Sequence, residues 1–108
     1  MFKKIPYDQN NLTELTDEQI AEAKKEFGQV FLLQVDDKKC YLHKPTRMVI
    51  DLAVQSSAKR SSMFDETILR NCWLAGDKEI VDNDEYFFAV SKQLDEVIKF
   101  KNAELKKL

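Results

Sequence analysis

The sequence predicts a single α+β domain, with an N-terminal helix, one antiparallel β-hairpin, and then three helices packed around a single small core. Three observations lead there. The stretch "VFLLQVDDKKCYLH", residues 30–43, holds two short runs of strand-forming residues around a pair that tolerates a tight turn. Most of the remaining chain carries apolar residues at intervals of three and four between capping residues, the pattern of amphipathic helices. At 108 residues and 44 % hydrophobic, with seven Phe and one Trp, the chain has material for one modest core and not for two domains.

Taking the elements in order, residues 1–15 are polar, contain "YDQNN" and show no burying period. An extended or disordered arm is expected there, with residues 16–108 forming the domain. In "TDEQIAEAKKEFG", Thr16 can cap a helix with Gln19 returning the bond, Asp17 and Glu18 suit its positive end, and Gly28 supplies the left-handed stop. The apolar stripe of Ile20, Ala23 and Phe27 is narrow, which places this helix at the surface. In the hairpin, Asp36 and Asp37 take the turn, and Cys40 and Leu42 alternate with Tyr41 and His43, so the cysteine and the histidine face opposite sides. Lys44, preceding Pro45, is biased toward an extended backbone, and Thr46 can cap a helix whose buried face is Met48, Val49, Leu52 and Ala53. "QSSAKRSS" ends that helix. Ser62 is then expected to cap "MFDETILRNCWLAG", with Phe64, Ile68, Leu69, Cys72 and Trp73 on one stripe and Gly76 as the stop. A last helix is expected from about Asp84 to Lys106, burying Tyr86, Phe87, Val90, Leu94, Val97, Ile98 and Leu105. Trp73 and Leu69 should meet Phe87, Val90 and Leu94 in the core.

The chemistry-bearing residues do not assemble into a catalytic or metal motif. Zinc asks for four ligands, whereas Cys40, His43 and Cys72 supply three at most, without a Cys-x-x-Cys pair. Opposed faces also keep His43 from serving Cys40 as a base. Two glycines cannot build a phosphate loop, and Asp36 with Asp37 sits in a turn. No catalytic residue, metal ligand or cofactor is therefore assigned. Both cysteines are expected reduced and buried, since no apolar run spans a bilayer and "MFKKIPYDQN" lacks the form of a signal peptide, which points to the cytoplasm.

The formal net charge of −2 argues against a general polyanion binder. Charge is unevenly placed, however. Residues 8–26 hold six acidic against two basic side chains, while Lys99, Lys101, Lys106 and Lys107 face Glu104 alone near the end. Phe88 and Phe100 fall off the stripe of the last helix, so a partner surface is expected on that helix and the first one, through Phe88, Lys99, Phe100 and Lys101. The alternative for Phe100 is to fold back on the hairpin. A second function considered is a small DNA-binding regulator using a loose helix-turn-helix around residues 47–75, with Arg47, Lys59, Arg60 and Arg70 as its basic groups. Against it stand the long loop and Asp65 and Glu66, which lie where a recognition helix would meet phosphates.

A hairpin ending in "YLHKPTR", a short helix, "ILRNCWLAGDKEI" and a C-terminal helix together resemble the small tail assembly chaperones of long-tailed bacteriophages and prophages, in particular those of gut Bacteroidales. The resemblance covers roughly residues 16–108, and His43 stands where that family more often has Arg or Lys. It implies a non-catalytic protein that binds the long helical tape measure protein and keeps it soluble before the tail tube polymerises. A protein partner is thus expected, with no membrane or nucleic-acid role and a homo-oligomer left open.

Overall fold

The computed structural model describes residues 12–99 and 103–108. Its elements are α1 (Asp17–Phe27), β1 (Val30–Val35), β2 (Lys38–His43), α2 (Arg47–Ser57), α3 (Met63–Cys72), β3 (Trp73–Gly76), α4 (Glu79–Asp82), α5 (Asp84–Ser91) and α6 (Leu94–Val97). The α+β class and the hairpin are as expected, and the sheet gains a third strand. All pairings are antiparallel in the order β1-β2-β3, so β2 is central.

Local chemistry starts and stops the elements where the caps lie. Thr16 and Gln19 form the reciprocal capping box of α1, and Gly28, at φ 91, donates its N–H to the Lys24 carbonyl. Asp36, at φ 54, opens the two-residue turn of the hairpin, a conformation that Asp tolerates better than bulky residues. The Thr46 hydroxyl accepts from the Val49 N–H. Asn83 caps α5 by accepting from the Glu85 and Tyr86 N–H groups. Ser62 departs from expectation: its backbone is already helical and its side chain makes no cap.

The third strand lies in the stretch expected to finish α3. Trp73, Leu74, Ala75 and Gly76 are all buried, and β3 pairs with β2 through Cys40↔Gly76 and Tyr41↔Ala75, then Leu42↔Trp73 across an irregularity that leaves Leu74 extra. A short strand covered on both faces is apolar throughout, so its sequence resembles a buried helix turn. Pairing with β2 decides the outcome. The long C-terminal helix is likewise divided. After Ser91 the chain turns at residues 92–93, α6 is short, and residues 103–108 are not helical. A straight helix over residues 84–106 would run roughly 34 Å, beyond the reach of a sheet whose longest strands have six residues. Turning lets Phe87, Val90, Leu94 and Val97 all reach the core, whereas Leu105 is fully exposed at 98 %.

The sheet divides the core into two clusters, where one was expected. On one face Cys40 and Leu42 pack with Ala53, Ile68, Leu69, Cys72, Trp73, Ile80, Phe87, Val90, Leu94 and Val97, so that Trp73 and Leu69 share a cluster with Phe87, Val90 and Leu94 as expected. On the other, Tyr41, Leu74 and Ala75 meet Ala23 of α1 and Leu15. The described end of the arm is therefore docked. The Gly76 N–H donates to the Leu12 carbonyl, the Lys39 ammonium pairs with Glu14, and Leu15 is buried; residues 1–11 lie outside the described residues.

Candidate functional site

α2 is held at its start by the Thr46 cap and touches the core through Ala53, Val49 and Ile50. This leaves two of its expected core residues outside. Met48 is 79 % exposed and Leu52 45 %, a correction to the face assigned from sequence. The cause is visible in "RMVIDLAV": apolar residues occupy more of the helix circumference than α3, its main neighbour, can cover. Met48, Leu52 and Gln55 lie four and three residues apart and thus share one stripe. Beside them runs an open groove of about 370 Å³, bordered by Val49, Asp51 and Asn71 of α3. A second depression, of about 650 Å³, continues from Met48 and Asp51 past Arg47 to Thr46. The surface is apolar along its floor with one carboxylate and one guanidinium at its margins, a form suited to receiving an apolar side-chain row and orienting it by charge.

Of the four residues expected to form the partner surface, Phe88 and Lys99 are described, and they do not share a helix. Phe88, on α5, is 57 % exposed and meets Phe87 edge-on with ring centroids 5.5 Å apart. Lys99 follows α6, is exposed, and its carbonyl accepts from the Lys44 ammonium. Phe100 and Lys101 lie outside the described residues. The α1 surface expected to join them is mostly polar, its apolar Ile20 and Phe27 being turned to the second cluster.

The chemically able groups around the hairpin are occupied structurally. Burial pushes the Cys40 thiol up to about 12, with Asp77 adding to the effect. At neutral pH it stays a thiol, and Cys72 is also buried and free of disulfide. His43 stacks on Phe27 at 4.1 Å, and its Nδ1 lies 2.8 Å from the Lys44 carbonyl, to which an Nδ1–H tautomer donates. It thus sits on the α1 side while Cys40 sits on the other, as the alternation required. Among the described residues, no three His, Cys, Asp or Glu side chains are placed to share a metal ion, and no helix is long and apolar enough to cross a membrane.

The helix pair of the DNA-binding reading is present as α2 and α3, but α3 offers no open face. Thr67, Ile68, Leu69 and Cys72 are buried and every other residue of α3 is half-buried. Glu66 also draws in two of the basic groups, Arg60 at 3.6 Å and Arg70 at 3.3 Å. A recognition helix must reach base edges with its outer side chains. No family model, curated protein or solved structure matches this chain.

Proposed function

We propose that the protein is a non-catalytic binding module of the tail assembly chaperone kind, which holds an amphipathic helix of a tape measure protein against α2 and keeps that partner soluble. The observation that carries the proposal is the stripe of Met48 and Leu52, exposed beside an open groove although the domain has a complete core without them. Methionine suits such a surface because its unbranched, polarizable side chain adapts to differing apolar partners. A helix with apolar residues at three- and four-residue spacing would lay them along the stripe, with Arg47 and Asp51 selecting its direction. Phe88, on α5, is the second apolar contact in this proposal, and Lys99 an outlying charge.

Co-expression with a tape measure protein tests it. The double variant Met48→Ser with Leu52→Ser should fold as the parent does, since both side chains are largely outside the core, and should leave the partner in the insoluble fraction. Phe88→Ser should weaken the rescue to a lesser degree. A soluble partner with the double variant, at parental yield, overturns the assignment of the surface. If the parent protein itself fails to keep the partner soluble, the chaperone function is wrong.

A further inference from the structure

The two edges of the sheet are treated differently. β3 has only four residues, all buried, and its outer side meets the chain's own residues 12–15, the Gly76 N–H donating to the Leu12 carbonyl at 2.9 Å. β1, by contrast, is six residues long and reads "VFLLQV", with no charge, no proline and no bulge in its pairing to β2. Charges, prolines and bulges are the devices by which exposed edges avoid pairing with other chains. β1 has none of them.

The ladder identifies the backbone groups that remain. The Lys44 N–H donates to the Gln29 carbonyl at 3.1 Å, which makes Gln29 and Lys44 a hydrogen-bonded pair one step beyond Val30↔His43. Alternation along an unbroken antiparallel register then turns the backbone groups of Phe31, Leu33 and Val35 toward β2, and those of Val30, Leu32 and Gln34 outward. Among the described residues, no backbone bond reaches those outward groups. On the α1 face, Leu32 is 49 % exposed, because α1 covers Val30 but stops short of it.

We propose that β1 pairs antiparallel with β1 of a second copy of this chain, about a two-fold axis at Leu32, joining two three-stranded sheets into one. In that register Leu32 meets Leu32 of the second copy, Val30 meets Gln34, and Gln34 meets Val30, each pair exchanging both of its N–H···O bonds. All three outward-facing residues are used. An isologous contact of this kind requires a surface complementary to itself. β1 satisfies that requirement because no like charges face each other along its length and the exposed leucine finds an identical partner at the axis.

The flanks favour the same occupant. Continuing the register brings Asp36 and Asp37, at the hairpin tip of one copy, opposite Gly28 and Phe27 of the other. Just before these lies the last turn of α1, where exposed Lys24 and Lys25 outnumber Glu26. The two-fold axis supplies this acidic-to-basic meeting twice. An acidic peptide strand would meet the basic turn only once, and its direction along β1 would be unspecified.

Site-specific crosslinking tests the axis. In a hydrogen-bonded antiparallel pair the Cα atoms lie about 5.5 Å apart, within the span of a disulfide. Leu32→Cys should therefore form a covalent dimer under mild oxidation of the folded protein, whereas Gln34→Cys, opposite Val30, should remain monomeric on a non-reducing gel. The native thiols are buried and give little background. Sedimentation velocity of the full chain should show a concentration-dependent dimer that Leu32→Lys abolishes without altering the circular dichroism spectrum, and with a melting temperature equal to the parent's at concentrations too low for the dimer to form. A parent that is monomeric at every attainable concentration, a dimer that persists in Leu32→Lys, or equal crosslinking at both cysteine positions would each overturn the proposal.

Discussion

Replacing Gly76 with alanine adds one methyl group at the point where the sheet is least able to accept it. Gly76 has φ +148, which L-residues rarely adopt, and a Cβ there would lie 2.5 Å from the Cys40 Cα, 2.6 Å from the Cys40 Cβ and 2.6 Å from the Lys39 carbonyl oxygen. Backbone strain of this kind costs about 1–3 kcal/mol. Overpacking against atoms that cannot rotate away costs about 1–3 kcal/mol more, and two of the three obstructing atoms are backbone of the central strand, the third being the Cys40 Cβ fixed directly to it. The expected loss is therefore on the order of 2–6 kcal/mol, against a total stability of roughly 5–15 kcal/mol for a domain of ordinary size. Urea unfolding followed by circular dichroism measures it. Gly28→Ala is the matched control, since φ there is +91 but a Cβ would have nothing within 4 Å; it should show the strain alone. Spreading β2 from β3 should also expose Cys40 to a thiol reagent under native conditions. If Gly76→Ala unfolds within a few tenths of a kcal/mol of Gly28→Ala with Cys40 still protected, the steric argument is wrong.

Two further outcomes follow from the core and from α3. Trp73→Ala should cost about 3–5 kcal/mol, because the side chain is wholly buried between the helices and β2; a melting temperature close to the parent's would remove it from the core. Asp65 has its carboxyl held above the ordinary value of 3.8, mainly by burial and further by Asp95, with the Ser91 hydroxyl acting the other way. The folded state then binds a proton more tightly than the unfolded state, so this group's effect on stability worsens as pH rises from 3.8 through the raised value and is fully unfavourable above it. Asp65→Asn should accordingly melt above the parent at neutral pH, with the gap closing in acid; a variant that melts lower at neutral pH contradicts the sign.

The hairpin was legible because two separate signals agree on it, the strand pattern on either side and an Asp pair able to adopt the turn. The caps at Thr16 and Thr46 were legible because a cap is a local bond between neighbours in sequence. The stretch "WLAG" was not legible. Trp73 and Leu74 continue the apolar spacing of α3, and only the distant partner Cys40, met across the sheet at Gly76, determines that the chain extends there. The break near residue 92 was hidden for a related reason: Phe87, Val90, Leu94 and Val97 fit one helical face in sequence, and nothing local states how short the available core is.

The candidate surfaces share one cause. A 108-residue chain that is 44 % hydrophobic has more apolar side chains than its sheet and helices enclose, and the excess emerges in particular places. Val49 and Ala53 belong to the core while Met48 and Leu52, their sequence neighbours, do not; Val30 is covered by α1 while Leu32, two residues on, is half exposed. On α2 the apolar residues take more of the circumference than its neighbours cover, whereas at β1 the covering helix ends before the apolar run does. Periodicity identifies which residues share a face, but the extent of the opposing elements, around a helix or along a strand, decides which of them remain outside, and that extent is a property of the folded chain. Exposed leucine and methionine next to a groove, or next to outward-facing backbone groups, are the residues on which both proposed contacts rest.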